Sequence, residues 1–163
     1  MGADLFADGE KVPEFLVWAQ KDKYSASLQR IQIIKGSVTN SGARPSEKVF
    51  DVICSDGLEV DPTTHRCPDN GARVNIEDCS ITNNVGATEL KATWRDPDFN
   101  PKDKAFYYVR VLENPTCRWS TWDALKAGIK PRSDLHKTIQ ERAWSSPIWY
   151  IPCLLYTSDA ADD

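Results

Sequence analysis

The chain has 163 residues, enough for one domain with its own core and too few for two. Charged residues make up 27% and the apolar set 40%, which excludes a disordered chain. A net charge of -4 excludes a general nucleic-acid binder, which needs a basic face to displace counterions from phosphates. No apolar run is long enough for a transmembrane helix, and MGADLFADGE lacks the basic and apolar regions of a signal peptide.

In chain order, residues 13–20 (PEFLVWAQ) predict a strand with Phe15 and Val17 on one side and Leu16 and Trp18 on the other. LQRIQIIK (28–35) alternates Ile31 and Ile33 with Arg30 and Gln32, the period of a half-buried strand. Gly36 closes it, and turn chemistry follows. EKVFDVI (47–53) predicts a third strand. Residues 54–87 hold few apolar side chains and read as a long ordered insertion, which favours cross-links. Residues 87–94 predict a fourth strand. KAFYYVRVL (104–112) is apolar on both faces and so reads as central. A short helix then opens at Ser120 as its cap and stops at Gly128. The last strand, 139–151, is interrupted by Pro147, which places it at an edge or a bulge. Six short strands and one helix predict a mainly β fold, an antiparallel, immunoglobulin-like sandwich with a cysteine-bearing insertion.

Five cysteines are present: Cys54, Cys67, Cys79, Cys117 and Cys153. Closing Cys54 to Cys67 would restrict a loop of about 14 residues, worth roughly 3 kcal/mol in the chain-entropy model. Cys79 and Cys117 would then pair across a longer span. Three connectivities are open to these four, and spacing does not choose among them. A zinc site with His65 lacks the close ligand pairs that such sites use, so disulfides are the favoured reading. That implies an oxidising compartment, against the missing leader.

No phosphate loop, nucleophile elbow or H-E-x-x-H motif is present. His65 and His136 sit in Pro/Thr/Ser-flanked segments and read as solvated loop residues. DPDFNPKD (96–103) imitates a calcium loop, but Pro101 stands in place of the required Gly, so it reads as a turn. Arg110, Glu113, Arg118, Glu141 and Arg142 read as a structural ion-pair network, with a ligand surface as the alternative.

The stretches MGADL, LQRIQIIKG, EKVFDV, KATWRDPDFNPKDKAFYYVRVLENPTCRWSTWDAL and TIQERAWSSPIWY together resemble the C-terminal end of the bacterial domain-of-unknown-function family 3604. The similarity runs over about residues 1–151. Members are longer, usually exported, and their N-terminal part resembles the polymerase-and-histidinol-phosphatase (PHP) metal-dependent hydrolases. The resemblance implies a truncated chain in which Met1 is internal, and it reconciles disulfides with the missing signal peptide. The full-length parent would be periplasmic or secreted. Its divalent metal would sit in the missing N-terminal catalytic domain, so no cofactor, metal or catalytic residue is expected in residues 1–152. Ser146-Pro147-Ile148-Trp149-Tyr150 resembles the closing strand of the small sandwich that follows the catalytic domain in related proteins. CLLYTSDAADD (153–163) resembles translated library-adaptor sequence and is set aside as a non-native tail, which makes Cys153 the odd cysteine.

The resulting expectation is a non-catalytic accessory module, partnered by the missing catalytic domain. Arg118, Glu141 and Arg142 would frame a substrate or interdomain face, and Trp119, Trp122 and Trp144 would form an orphan apolar patch. The alternative is a stand-alone secreted module that binds carbohydrate through exposed tryptophans. An enzyme acting through residues of this chain is the third reading, disfavoured by the lack of a nucleophile–base motif.

Overall fold

The computed structural model describes residues 2–6, 11–39 and 44–152. The tail 153–163, with Cys153, lies outside the described residues. The fold is mainly β, with ten strands and one helix among the described residues. The strands are β1 (Ala3–Phe6), β2 (Glu14–Gln20), β3 (Leu28–Val38), β4 (Ser46–Cys54), β5 (Glu89–Arg95), β6 (Lys104–Glu113), β7 (Thr116–Cys117), β8 (Thr138–Ile139), β9 (Arg142–Trp144) and β10 (Ile148–Ile151). The helix α1 (Trp119–Lys126) lies between β7 and β8.

Six strands form one large sheet in the order β1-β10-β6-β3-β4, with β9 also on β6. β10 pairs with residues 105–107 of β6 and β9 with residues 110–112. They are two halves of one strand, separated at Ser145–Pro147. A proline cannot donate to the ladder, so the break falls where the sequence places it. β2 and β5 form a separate antiparallel ribbon, and β7 and β8 a small one. One pairing is parallel, β1 on β10, in a segment for which no strand is expected from the sequence. Its four residues are too few for an alternation signal to stand out.

The ribbon packs on one face of the large sheet. Val17 and Leu90 from the ribbon meet Ile31, Ile33, Tyr107 and Tyr150 from the sheet in a single buried cluster. Phe15 and Trp94 add their rings, with Phe15 4.7 Å from Tyr107 and Trp94 5.2 Å from Phe50. Leu16 and Trp18 face outward on the ribbon, as their alternation predicts. At the end of this core sits a buried charged group. Lys35 Nζ lies 2.5 Å from Asp96 Oδ2, and Tyr107 donates its hydroxyl to the same oxygen at 2.7 Å. Burial first, and then the Asp96 carboxylate, push the Tyr107 hydroxyl well above the ordinary phenol range. DPDFNPKD is a turn, with Asp98 N donating to Asp96 Oδ1 at 2.9 Å. Its first aspartate is nonetheless a buried structural anion rather than a surface turn residue.

Two disulfides order the insertion: Cys54–Cys67 and Cys79–Cys117, each with Cα atoms 5.6 Å apart. The first loop is sewn to the edge of β4. Asp51 N donates to the His65 carbonyl at 2.9 Å, and Cys67 N donates to Asp51 Oδ2 at 2.7 Å. This satisfies an edge that would otherwise expose unpaired ladder groups. His65 is therefore not a solvated loop residue: its ring stands edge-on to Phe50 at 5.1 Å and is half-buried.

The helix also differs from expectation at its start. It begins at Trp119, so Arg118 rather than Ser120 holds the cap position, and no side chain caps it. Gly128 does end it, at φ +66, where a residue with a Cβ is strained. No helix of the described residues is long and apolar enough to cross a membrane.

Candidate functional site

The large sheet has a second face. Strand register assigns to it Gln32, Ile34 and Gly36 from β3, Val49 and Asp51 from β4, Phe106, Tyr108 and Arg110 from β6, Trp144 from β9 and Trp149 from β10. One end is covered by the insertion. There Gln32 donates to Asp51 at 2.5 Å and Arg110 Nε donates to Gln32 at 2.7 Å, so the buried Asp51 is fully engaged.

The other end carries aromatic rings with no element over them among the described residues. Phe106 lies 6.3 Å from Tyr108 in a stacked pair and 5.2 Å from Trp149. Gly36 sits directly beneath: a Cβ there would meet the Phe106 ring at 2.3 Å, so only glycine admits this packing. Trp149 is 49% exposed, far above what a finished core face shows, and Trp144, 59% exposed, stands opposite Arg110 toward the insertion end. A groove of about 900 Å³ runs alongside, lined by Gly36, Val38, Glu47, Phe106, Trp149 and Ile151.

A second feature lies at the insertion. A cleft of about 490 Å³ is walled by Arg73 of the insertion, Arg118 before α1, His136 before β8 and Arg142 of β9. The disulfides build it. Asp69 and Arg73 lie between Cys67 and Cys79, and Cys79 is bonded to Cys117, the neighbour of Arg118. Asp69 and Arg73 form a two-pronged pair at 3.1 and 2.6 Å. The Arg73 hydrogen bonds, and then the Gly71 amide, bring the Asp69 carboxyl down to about 2. At the back of the cleft Gln140 donates to Gln29 at 2.9 Å and to the Glu113 carbonyl at 3.1 Å.

The residues singled out from the sequence divide between these features. Arg118 and Arg142 meet in the cleft. Glu141 is absent from that cleft; it lines a neighbouring hollow that Arg142 shares, and its carbonyl accepts from Glu113 N at 3.1 Å. Trp119 and Trp122 are exposed on α1, apart from Trp144 on the sheet. Cys54, Cys67, Cys79 and Cys117 are the four bridged cysteines. The expected ion-pair network is not formed. Arg110 bonds an amide, Glu113 takes the Ser25 hydroxyl, and Arg118 and Arg142 have no carboxylate partner among the described residues. Long charged side chains near a sheet end are easily imagined in pairs, but the backbone places these ones on different walls.

Sequence reading missed Trp149 and Phe106 as a surface, and Arg73 and His136 as cleft residues. The signal for the first was present, since β6 is apolar on both faces. Arg73 comes to Arg118 only through the Cys79–Cys117 bridge, and no local pattern announces it. Among the described residues no group of three or more His, Cys, Asp or Glu side chains is placed to hold a metal ion.

The family model described as "Protein of unknown function (DUF3604)" matches residues 1–152. No curated protein and no solved structure matches the chain.

Proposed function

The chain belongs to the DUF3604 family, and from that premise we propose that it is a non-catalytic, C-terminal accessory module of an exported, metal-dependent hydrolase. Its partner is a PHP-like catalytic domain N-terminal to it in the parent chain, which carries the divalent metal. The observation that carries this reading is the bare aromatic end of the large sheet. Trp149, half exposed beside the stacked Phe106–Tyr108 pair and the groove, is apolar surface of the kind a docking face exposes when its partner is absent. The reading places the divalent metal in that catalytic domain rather than in residues 1–152. Two disulfides suit a periplasmic or secreted parent.

The test is to sequence the genomic flank upstream of Met1 and to express the longest frame. The reading expects an unbroken frame into a histidine- and carboxylate-rich segment behind a signal peptide. A stop codon and ribosome-binding site just before Met1 would overturn it. The exposed tryptophans would then be tested as a carbohydrate platform, by saturable fluorescence quenching with oligosaccharides.

A further inference from the structure

We infer that the cleft between the insertion and β9 binds a small tetrahedral oxyanion, the phosphate or sulfate group of a ligand. The inference stands on this chain's own residues and holds whether or not a catalytic domain precedes them. Three arginines line the cleft against one carboxylate. That carboxylate, Asp69, is consumed by Arg73, which also donates to the Ala72 carbonyl at 2.8 Å. Arg118 and Arg142 are in salt-bridge distance of no carboxylate among the described residues, although Arg142 also lines the hollow that holds Glu113 and Glu141.

Arg118 is a half-buried member of the cleft wall. Its Nε is shut off from solvent and has no hydrogen-bond partner. An atom that water cannot reach is also out of reach of an anion in the cleft, so Arg118 would meet the anion through its terminal nitrogens, in a side chain that is half-buried. The neutral amide pair Gln29–Gln140 and the Thr138 side chain complete the wall without adding negative charge. Arg118 also immediately precedes α1, whose first turn carries no side-chain cap. Guanidinium forks match the paired oxygens of phosphate and sulfate, which a single ammonium does not. A cleft of about 490 Å³ admits such a group together with a modest organic body.

The experiment is a titration of the full chain with inorganic phosphate and, separately, inorganic sulfate. It is followed by the arginine Nε–Hε NMR signals at constant ionic strength set with chloride, with acetate as a third arm. Saturable shifts confined to Arg118, Arg142 and their neighbours are expected with phosphate, sulfate or both, the stronger arm identifying the group. Arg118→Gln and Arg142→Gln should each weaken binding by about tenfold or more, while Arg95→Gln on the ribbon leaves it unchanged. Linear, non-saturating shifts, or equal weakening by Arg95→Gln, would show general charge screening and overturn the proposal. Acetate binding as tightly as either oxyanion would overturn the tetrahedral assignment. Should Arg118→Gln fail to fold, Arg142→Gln and the unaltered chain decide.

Discussion

The two faces of the large sheet are built from the same strands and finished differently. On the inner face, alternate residues of β3 and β6 meet the β2–β5 ribbon, and even a lysine and an aspartate are enclosed there as a bonded pair. On the outer face the insertion bonds to one end, where Trp144 lies exposed opposite Arg110, and the other end leaves Trp149 exposed beside a half-buried Phe106. The difference teaches that apolar character on both sides of a strand reports two packed faces only when this chain supplies both covers. The described residues supply one and a half, and the bare half is where the proposed partner would dock.

The comparison breaks most severely at the inner face. Lys35→Met should cost about 3–5 kcal/mol, because it strands the buried Asp96 charge, and urea denaturation would register the loss. Replacing Lys35 and Asp96 together by apolar residues should recover much of it. The insertion comes next. Cys79→Ser with Cys117→Ser removes a bridge spanning 38 residues, which the chain-entropy model sets at about 4 kcal/mol. The same model gives about 3 kcal/mol for the 13-residue Cys54–Cys67 separation. Thermal unfolding of the two double variants should rank them in that order.

At the outer face, by contrast, Trp149→Ser should shift stability by no more than about 0.5 kcal/mol, as an exposed site does, while reducing binding of a hydrophobic dye. An unfolding midpoint displaced as far as that of Lys35→Met would mean that this face is core after all. The smallest effect lies at the cleft wall. The depressed Asp69 carboxyl favours the folded chain above the ordinary carboxylate value of 3.8, and that contribution disappears as pH falls toward about 2. Carbon-detected NMR should find Asp69 titrating near the lower figure, and Arg73→Gln should return it toward 3.8.

Much of the frame is legible in the sequence, for local reasons. Ile31 and Ile33 alternate with Arg30 and Gln32 and β3 forms there, but it is buried on both faces rather than half-buried and runs past Gly36 to Val38, because neighbours on both sides of the sheet cover it. Pro147 splits the last strand because it lacks an N–H. Gly128 ends the helix through its positive φ. Other features depend on distant partners and leave no local trace. Asp96 looks like any turn aspartate until Lys35 and Tyr107 close on it. Arg118 and Arg142 look like halves of ion pairs, yet the fold sets them in a cleft with no free carboxylate. The parallel β1–β10 pair joins the first described residues to the last, a separation that no periodicity spans.

The most direct test of the open-face account is hydroxyl-radical footprinting, resolved by residue, on this chain and on the longest gene product containing it. The account predicts that Trp144 and Trp149 oxidise rapidly in the chain alone while Tyr107 and Tyr150 resist, and that both tryptophans become protected in the longer product. Tryptophans that are protected in the monomeric chain, or equally reactive in both proteins, would contradict it.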